Sequence, residues 1–434
     1  MAGLPRNVRA AGRQVFRAAL AILPRKIRFA VFRQFVNCDP APSPRLVLKI
    51  AETREELEAC FRVLHDAYVQ EGFMKPDPSG MRVTIYHALP TTTTLLAKFD
   101  DEVVGTISLV RESALGFPMQ KIFHLGEIRH AGGNIAEVSS LAVTRRWQRQ
   151  GGAILFPLMK FMYEYTTRFF DTRHLVIAVN PNRIGLYEAI LFFKRLKQNQ
   201  VDHYDFVNGA PAIGAHLDLK LAPGLFRRCY NDKPDRRNLY GYFVNIEMPN
   251  IHHPDKRFFT TTDPVMTPEL LDYFFNQRTS IFAHLSDREK RMLHAIYDLP
   301  AYQHVLPLLP SRDMRSTGNR RKHRRFSVNC PGEVTLSMNG KGKNFKLKVV
   351  DCSGNAFRAR AEERLPVNVW GEARIELGHT DHSLLWVRVM RETTTERTYV
   401  VEFDHPDEAW LKFVNALRKA ATNTDLGAAT SLMD

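Results

Sequence analysis

The chain divides into two regions that differ in the spacing of their hydrophobic and polar positions. Between residues 46 and 219, short apolar runs typical of buried strands alternate with segments in which apolar residues recur at helical spacing. From residue 320 onward, short strands are separated by frequent turns. The first pattern predicts a mixed α+β domain, and the second predicts a small β-barrel closed by a helix over 407–420.

The first region has a definite order of predicted elements. It runs strand, helix, strand pair, strand, helix, strand, helix and strand pair, over 46–50, 54–72, 93–99 with 103–110, 136–143, 154–168, 175–179, 180–196 and 206–219. Thr53 and Glu56 have the spacing of a capping box, which predicts the start of the first helix. Residues 224–300 end in helices that start near Thr267 and Ser286, and they predict a helical extension packed on this domain.

The stretch between the strand 136–143 and the following helix is basic and ends in Gly151 and Gly152. The first turn of a helix has unpaired N–H groups, and glycine lets an anion approach the backbone closely. The turn therefore suits a phosphate or pyrophosphate group. The residues equally fit an ordinary strand-to-helix connection with an arginine-rich exposed face.

Positive charge is concentrated in two segments. Of the net charge of +15, residues 1–36 supply +8 and residues 312–325 supply +6, which leaves +1 for the rest of the chain. A general nucleic-acid-binding surface is therefore not expected. Residues 1–36 predict two short amphipathic cationic helices broken at Pro24, which either lie on an anionic membrane surface, pack on the chain's own domain or are disordered.

The five cysteines are scattered and contain no Cys-x-x-Cys pair, so neither a disulfide framework nor a zinc site is expected, and a cytoplasmic location suits them. No run of eighteen apolar residues predicts a transmembrane helix. The predicted organisation is a basic N-terminal segment, an α+β domain with its helical extension, a linker, a β-barrel and a flexible tail, at 1–43, 44–300, 301–319, 320–422 and 423–434.

Two motifs of the first domain resemble known acyltransferases. Gln148-x-x-Gly151-x-Ala153 is similar to the acyl-carrier loop of GNAT acyltransferases. Glu71-Gly72-Phe73 and the strand from Glu137 to Val143 resemble the bacterial N-acyl amino acid synthases, a GNAT branch related to the acyl-homoserine lactone synthases. The resemblance covers residues 45 to about 300. It implies a GNAT-like mixed sheet with flanking helices, and transfer of a long-chain fatty acyl group from acyl carrier protein or acyl-CoA to the α-amine of an amino acid, without a covalent cofactor or a metal.

The resemblance and the chemistry together predict the residues of the reaction. Glu137 is the candidate base, since desolvation in an apolar strand raises the pKa of a carboxyl group. Tyr187 matches the GNAT tyrosine position and is the candidate proton donor to the leaving thiolate. The expected contacts of the donor's carrier arm, including the oxyanion donors, are Leu141, Val143, Gln148, Arg149, Gln150, Gly151, Gly152 and Ala153. Alternatively, Glu137 is a surface strand residue and Tyr187 an ordinary core aromatic.

Two further groups are assigned to the acyl donor. A basic cluster expected to steer an acidic carrier protein consists of Arg145, Arg146, Arg149, Lys160 and Arg168. A set of apolar residues expected to line an acyl tunnel consists of Phe156, Met159, Met162, Phe192 and Phe193. The same residues also fit a solvated helix face and an ordinary core, respectively.

The second region resembles the PilZ domain. Arg321-x-x-x-Arg325, followed by Asp351-Cys352-Ser353-Gly354-Asn355-Ala356, is similar to the arginine pair and Asp-x-Ser-x-x-Gly turn that bind cyclic di-GMP in that family. The implied ligand residues are Arg320, Arg321, Arg325, Asp351, Ser353 and Ala356. Ala356 stands where the family has glycine, and its methyl group weakens binding if the site requires a positive φ or close ligand approach. Alternatively, the barrel is retained for dimer or partner contacts.

Together these observations predict a cytoplasmic, membrane-associated N-acyl amino acid synthase with cyclic di-GMP as an allosteric ligand. Two other functions fit the same residues. One is a short-chain acetyl-CoA N-acetyltransferase on the same fold, and the other is a non-catalytic cyclic di-GMP receptor whose first domain binds only carriers or partners.

Overall fold

The computed structural model describes residues 23–113, 115–148, 150–197, 200–256, 258–261, 266–297, 300–309, 325–338, 341–393 and 397–418. Arg149, Arg320 and Arg321 lie outside these ranges, as do the first part of the basic N-terminal segment, most of the predicted linker and the predicted tail.

The first domain contains an eight-stranded mixed sheet in the order β1-β2-β3-β4-β5-β8-β6, with β7 paired to β8. The strands are β1 (Leu46–Ile50), β2 (Thr92–Phe99), β3 (Glu102–Arg111), β4 (Asn134–Val143), β5 (Thr172–Val179), β6 (Lys194–Arg195), β7 (Val201–Tyr204) and β8 (Ala210–Asp218). Among the strands just named, in the part of the chain that the structure describes, β4 and β5 are the pair that runs parallel.

Helices cover both faces of the sheet. They are α1 (Arg25–Gln34), α2 (Arg54–Gln70), α3 (Gly126–His130), α4 (Leu155–Phe169), α5 (Pro181–Leu191), α6 (Ala222–Tyr230), α7 (Pro268–Asp272) and α8 (Asp287–Ile296). Single π-helical turns occur at Gly241–Asn245 and Tyr273–Gln277. Short 3₁₀ turns occur at Ile85–Ala88, Pro118–Lys121, Asp205–Val207, Asp235–Arg237, Phe282–His284 and Pro300–Tyr302.

Two hydrophobic cores lie on the two sides of the sheet. Leu158 and Phe161 of α4 pack against Leu175 of β5 on one side, which we call the α4 face. Phe61 of α2 packs with Phe274 of the extension and Val176 of β5 on the other side, which we call the α2 face. The extension therefore packs on the first domain on both sides of the sheet, with Phe226 and Phe243 on the α4 face and the helices after residue 266 on the α2 face.

The second domain is a closed six-stranded antiparallel barrel in the order β10-β11-β14-β13-β12-β9. Its strands are β9 (Phe326–Met338), β10 (Lys341–Cys352), β11 (Ala356–Ala361), β12 (Trp370–Glu376), β13 (His382–Glu392) and β14 (Thr398–Glu402), and α9 (Glu408–Arg418) follows. Trp410 of α9 is fully buried against Phe357 and Phe403. The α+β class, the mixed sheet and the barrel predicted from the sequence are thus confirmed.

One predicted helix was wrong in extent, and one strand of the barrel was not predicted. The helix expected to run to residue 196 ends at Leu191, because Phe192 takes a left-handed conformation with φ 60° and the chain turns into β6. Strand β11 was not predicted. Its arginines occupy the exposed positions of an alternating pattern that lasts only six residues.

Helix α1 packs on the first domain. The Arg25 side chain pairs with the buried Glu188 of α5 at 2.9 Å, and Arg33 Nε donates to the Ala189 carbonyl at 2.8 Å. Val36 and Cys38, which follow α1, are buried in the core on the α4 face. The packing interpretation therefore holds for residues 25–38, and contact with a membrane stays a prediction. None of the helices in the described ranges is long and apolar enough to cross a bilayer.

A short segment of the chain joins the barrel long before the barrel sequence begins. The Phe259 N–H donates to the Leu377 carbonyl at 2.8 Å, and the Phe259 carbonyl accepts from the Asn329 N–H at 3.0 Å. The Phe258 side chain is buried in the barrel core and meets Phe413 edge-on. Residues 258–260 are thus an additional piece of barrel edge, supplied from a point upstream of α7 and α8.

Candidate active site

Strands β4 and β5 pair over part of their length and then separate. Parallel pairing connects 134–137 of β4 with 172–176 of β5, and the last paired residues are Glu137 and Val176. Beyond that point, 138–143 and 177–179 face each other without a shared ladder. We call this space the β4–β5 gap. The candidate base thus lies at the inner end of an opening between two strands.

The carboxyl group of Glu137 is buried and has few partners. Ala136 packs in the core of the α4 face, so Glu137 points to the α2 face, where it is 3% exposed. Its Oε2 accepts a hydrogen bond from the Met119 N–H at 2.9 Å. No cation of the described residues lies within 4.0 Å. Burial raises the pKa of Glu137 to about 8, although the Met119 hydrogen bond opposes this shift.

The backbone of β4 also serves the β4–β5 gap. The Thr144 N–H donates to the Val104 carbonyl of β3 at 2.9 Å. Because N–H groups alternate in direction along an antiparallel strand, that of Val143 points away from β3 and toward the gap. A bulge lies between Ser139 and Ala142, where Ser140 has φ 55°, and it interrupts the alternation at Leu141. The Val143 N–H therefore faces the opening beyond Glu137.

The loop 144–154, which we call the glycine loop, leads from β4 into α4. The Gly151 and Gly152 backbones have φ of 61° and 89°, a left-handed conformation that glycine adopts without strain. The N–H groups of Gly151, Gly152, Ile154 and Leu155 have no hydrogen-bond acceptor among the described residues. Four N–H groups that lack an acceptor within the described ranges, at the start of a fifteen-residue helix, form an environment suited to a phosphate.

Two predicted residues of the glycine loop point inward. The Gln148 side chain donates from Nε2 to the Val143 carbonyl at 2.9 Å, which ties the loop to the end of β4. The Ala153 N–H donates to the Gln150 carbonyl at 3.2 Å. Gln148 and Ala153 thus stabilise the loop through internal hydrogen bonds. The N–H groups available to a ligand belong to Gly151, Gly152, Ile154 and Leu155.

A residue that the sequence did not indicate also lies at the glycine loop. A Cβ atom added to Gly151 would come within 3.0 Å of Asn37 Nδ2. The Asn37 amide therefore lies against the loop and supplies a side-chain donor there. No sequence signal marked it, because Asn37 follows α1 in a segment that was predicted to be separate.

The predicted basic cluster is smaller than expected. Arg145 and Arg146 are exposed on the glycine loop. Lys160, in contrast, is fully buried and pairs with Glu164 at 2.7 Å. Arg168 lies in the last turn of α4, roughly 24 Å from Gly152 by helical rise. The assignment of Lys160 and Arg168 to this surface was wrong.

Tyr187 lies on α5, the helix that follows β5. Strand β5 passes into α5 through Asn180, whose side chain accepts from the Asn182 N–H at 3.0 Å and caps the helix. Tyr187 lies in the middle of α5, half-buried, with its ring edge-on to Phe193 at 5.9 Å. Burial raises the pKa of Tyr187, so its hydroxyl keeps its proton at neutral pH.

The α4 face contains an apolar cavity. It is narrow and partly open to solvent, and it lies between α4, β5, β8, α6 and the π-helical turn Gly241–Asn245. Met159, Met162 and Phe193 of the predicted tunnel line it, whereas Phe156 and Phe192 do not. Phe226 and Phe243 contribute the wall on the side of the extension.

The barrel contains a second buried carboxylate at the predicted nucleotide site. Asp351 is 4% exposed and accepts from Arg325 Nη1 at 3.3 Å. Arg358 of β11, which sequence reasoning missed, pairs with the other carboxylate oxygen. Ser353 Oγ donates to the Ala356 carbonyl at 3.1 Å. Arg320 and Arg321 lie outside the described residues.

The structure removes one concern about Ala356. Ala356 opens strand β11 in regular antiparallel pairing with Glu402 of β14, and its φ is not positive. The backbone at this position therefore does not require glycine. The residual effect of its methyl group depends only on how closely a ligand approaches.

Part of the first domain is similar to known proteins. Residues 59–218 match the family model of the N-acyl amino acid synthase FeeM. The solved structure of FeeM from uncultured soil microbes is 27% identical, and the alignment covers 42% of this chain and 95% of that one, with a TM-score of 0.35. No curated protein matches the chain.

Two other solved structures show more distant similarity. A CoA-dependent acyl-homoserine lactone synthase, BjaI, is 20% identical over 48% of this chain and 93% of its own, with a TM-score of 0.34. An acetyltransferase of the GNAT family from Streptococcus pneumoniae is 14% identical over 40% and 98%, with a TM-score of 0.30. The family match supports the prediction that the first domain is an N-acyltransferase. The barrel lies outside the matched residues.

Proposed function

We propose that the protein is an N-acyl amino acid synthase, which transfers a long-chain fatty acyl group from a thioester of acyl carrier protein or CoA to the α-amine of an amino acid. One observation carries the proposal. Glu137, a buried carboxyl group without a cationic partner, lies where β4 and β5 separate, and β4 leads from it directly into the glycine loop with its free N–H groups.

The nucleophile of the reaction is a neutral amine. Its nitrogen lone pair attacks the thioester carbonyl carbon, and the nitrogen then gives up a proton to the Glu137 carboxylate. A base with a pKa near 8 is matched to this step, and a positioned general base contributes a factor of order 10² to 10⁴. The product is an amide, and Glu137 releases the proton to solvent.

The carbonyl oxygen and the sulfur need separate stabilisation. Negative charge on the oxygen of the tetrahedral intermediate faces the N–H group of Val143 in the β4–β5 gap. The C–S bond then breaks, and the thiolate takes a proton from the Tyr187 hydroxyl of α5. Tyr187 recovers its proton from solvent.

The glycine loop holds the phosphate of the carrier arm. Free N–H groups at Gly151, Gly152, Ile154 and Leu155 provide the donors, with the Asn37 amide beside them. Gln148, Gln150 and Ala153 belong to the same loop, and Arg149, which lies outside the described residues, would add a cation there. Arg145 and Arg146 present positive charge at the entrance, which favours an acidic carrier protein over an uncharged donor.

The apolar cavity of the α4 face is the candidate site for the acyl chain. Its lining is entirely apolar or aromatic, and a fatty chain has no hydrogen bonds to lose on entering it. The β4–β5 gap connects the two faces of the sheet, so a thioester near Glu137 and a chain on the opposite face are compatible.

The barrel is the proposed regulatory part. Arg325 and Arg358 converge on Asp351 at its surface, and guanidinium groups pair with phosphate and with the guanine edge. Arg320 and Arg321 would add two further cations, and Ser353 and Ala356 would form the turn below the base. Cyclic di-GMP is the ligand that this set of residues fits best.

Membrane association completes the proposal, with the protein at the cytoplasmic face of a membrane. Ile27 and Phe35 of the α1 region remain exposed, next to the exposed Lys26. An apolar pair with adjacent cations suits an anionic lipid surface. Sedimentation with vesicles containing anionic lipid should retain the wild type and lose an Ile27→Asp, Phe35→Asp variant.

The central test uses the purified full chain. Acyl carrier protein and CoA thioesters from acetyl to stearoyl are incubated with each standard amino acid, and products are identified by mass spectrometry. We expect N-acyl amino acids from long-chain donors and almost none from Glu137→Gln. Turnover of acetyl-CoA alone would indicate a short-chain transferase. Nucleotide binding without any product would indicate a receptor.

A further inference from the structure

A buried arginine without an acidic partner lies on the α2 face, the side of the sheet to which Glu137 points. Arg82 is 8% exposed and is located between α2 and the 3₁₀ turn Ile85–Ala88. Within the described ranges, no carboxylate lies within 4.0 Å of its guanidinium. Burial lowers the pKa of Arg82, since nothing nearby compensates its desolvation fully. A buried cation of this kind is costly unless an anion joins it.

The surrounding residues fix the orientation of Arg82. Its Nη2 donates to the Phe206 carbonyl at 2.7 Å. The guanidinium carbon lies 4.0 Å from the centre of the Tyr68 ring and 4.8 Å from that of Phe206. Aromatic rings thus hold the planar group, while Nε is buried without a hydrogen-bond partner. An oriented guanidinium with a free donor is preorganised for a planar anion.

A second unsatisfied donor lies next to Arg82. The Tyr204 side chain is 3% exposed, and its hydroxyl has no partner among the described residues. Its ring stacks on Phe206, with the ring centres 5.7 Å apart. Phe206 therefore contacts both Arg82 and Tyr204. Burial and the nearby charge of Glu137 raise the pKa of Tyr204, so its hydroxyl remains a donor throughout the physiological range.

Tyr204 packs in the same buried cluster as Tyr86 and Met119, and the Met119 N–H donates to the candidate base. Tyr86, whose ring meets Phe206 edge-on at 6.5 Å, also has its pKa raised by burial and by the charge of Glu137. Unsatisfied buried donors are rare in folded proteins, and two that flank Phe206 on the face to which Glu137 points indicate an absent acceptor. An amino acid carries a carboxylate one carbon away from its amine. Its carboxylate can therefore accept from the two donors while its amine faces Glu137.

We infer that Arg82 and Tyr204 bind the α-carboxylate of the acceptor, so that its α-amine faces Glu137. The inference rests on the proposed function and adds the feature by which the acceptor is recognised. It excludes acceptors that lack the anion, such as alkylamines and amino acid amides, because they leave both donors unsatisfied. It also disfavours polyamines, since they would bring positive charge to Arg82.

The first test compares a free amino acid with its own primary amide. The amino acid that the wild type uses best is assayed beside its amide at saturating long-chain thioester. We expect kcat/KM to favour the free acid by about 100-fold or more, since an unpaired buried cation penalises the amide. This measurement needs no variant, so it cannot be confused with misfolding.

Variants then show which residues cause the preference for the free acid over the amide. Arg82→Met should raise KM for the amino acid strongly, leave KM for the thioester unchanged, and reduce the acid-to-amide ratio to less than about fivefold. Tyr204→Phe should reduce the ratio by about tenfold. Arg111→Met is the matched control. Arg111 is also a buried arginine that donates to a backbone carbonyl, that of Pro90 at 3.1 Å, but it contacts Phe170 on the α4 face, and its loss should leave the ratio intact.

The outcomes separate the two proposals. A wild type that acylates the amide as readily as the acid overturns the inference, as does Arg82→Met losing both substrates to the same degree. If Arg82→Met does not fold, the wild-type ratio and Tyr204→Phe decide. A wild type that yields no N-acyl product from any amino acid overturns the proposed function itself.

Discussion

The two domains each bury one carboxylate at a candidate site, and the two groups differ in their partners. Glu137 and Asp351 are 3% and 4% exposed. Glu137 accepts one backbone hydrogen bond and has no cation near it within the described residues. Asp351 is held between Arg325 and Arg358. Two carboxyl groups that are equally buried therefore differ in their charged surroundings.

The difference shows that the partner, and not burial, decides what a buried acid can do. Without a cation, desolvation favours the protonated form, so Glu137 can exchange a proton near neutral pH. Asp351 instead pairs with two guanidinium groups and holds both arginines in place. The first arrangement suits a reaction, and the second suits the binding of an anionic ligand.

The largest expected effect is that of Glu137→Gln on the rate. The amide oxygen can still accept the Met119 N–H, so the local packing is kept, but no proton can be taken from the amine. We expect kcat to fall by a factor of order 10² to 10⁴ in the N-acylation assay. Asp351→Asn is the matched control in the other domain, and its basal kcat should stay within about threefold. A fully active Glu137→Gln would contradict the proposed role.

The same substitution should increase stability at high pH. The pKa of Glu137 is about 8 in the folded chain and lies near 4.5 in the unfolded chain, so the folded state holds the extra proton between these values. The contribution of this proton to stability is complete below pH 4.5 and is lost as pH rises through 8. Glu137→Gln has no such dependence, and at pH 9 it should exceed the wild type by roughly 2–4 kcal/mol in denaturant unfolding.

Catalysis should depend on pH in the opposite direction. The ionised fraction of Glu137 grows with pH until it levels off above 8, so kcat/KM should rise about tenfold per unit between pH 6 and 7.5. A profile that is flat over this interval would show that another group limits the rate. The Glu137→Gln variant provides the reference, because the kcat/KM of its residual activity should not rise with pH over this interval.

A smaller effect is expected when Asp351 loses its charge. Asp351→Asn leaves Arg325 and Arg358 without their anion, but their side chains are 36% and 44% exposed and remain hydrated. We therefore expect a loss of roughly 1–2 kcal/mol in unfolding free energy, together with loss of cyclic di-GMP binding by calorimetry. Glu372→Gln on the outer face of β12 is the control and should change neither. Unaltered nucleotide binding in Asp351→Asn would remove Asp351 from the site.

The smallest effect is that of Ala356→Gly. Because Ala356 has no positive φ, glycine relieves no strain here, and its extra freedom in a strand should cost about 0.5–1 kcal/mol of stability. Nucleotide affinity should change by less than about threefold. A large gain in affinity would mean that the alanine methyl group blocks the ligand.

The sequence predicted those features that depend on neighbours along the chain. Thr53 and Glu56 form the predicted capping box, and the meander β2–β3 has its expected turn. The periodicity of α4 misled the assignment of Lys160. A lysine in an apolar stripe was read as surface, although Glu164 and His253 allow its burial.

The features that sequence reasoning missed depend on contacts between distant segments. Asn37 reaches Gly151 from a different part of the chain, and Arg82 meets Phe206 across more than a hundred residues. Met119, which supplies the hydrogen bond to Glu137, lies in a 3₁₀ turn without a motif. No local pattern marks such pairs, since they arise only when the sheet and its covering turns assemble.

The strand segment 258–260 makes the barrel and the first domain harder to divide than the order of the sequence suggests. If the chain were cut at an engineered site within 310–324, Phe258 would still occupy the barrel core, so the two fragments would elute together in gel filtration. For the same reason, a truncated enzyme ending near residue 309 would carry an exposed phenylalanine. Deletion of the barrel is thus a poor test of its regulatory role, because it also exposes part of the first domain. Point substitutions at the proposed ligand site test that role without this effect.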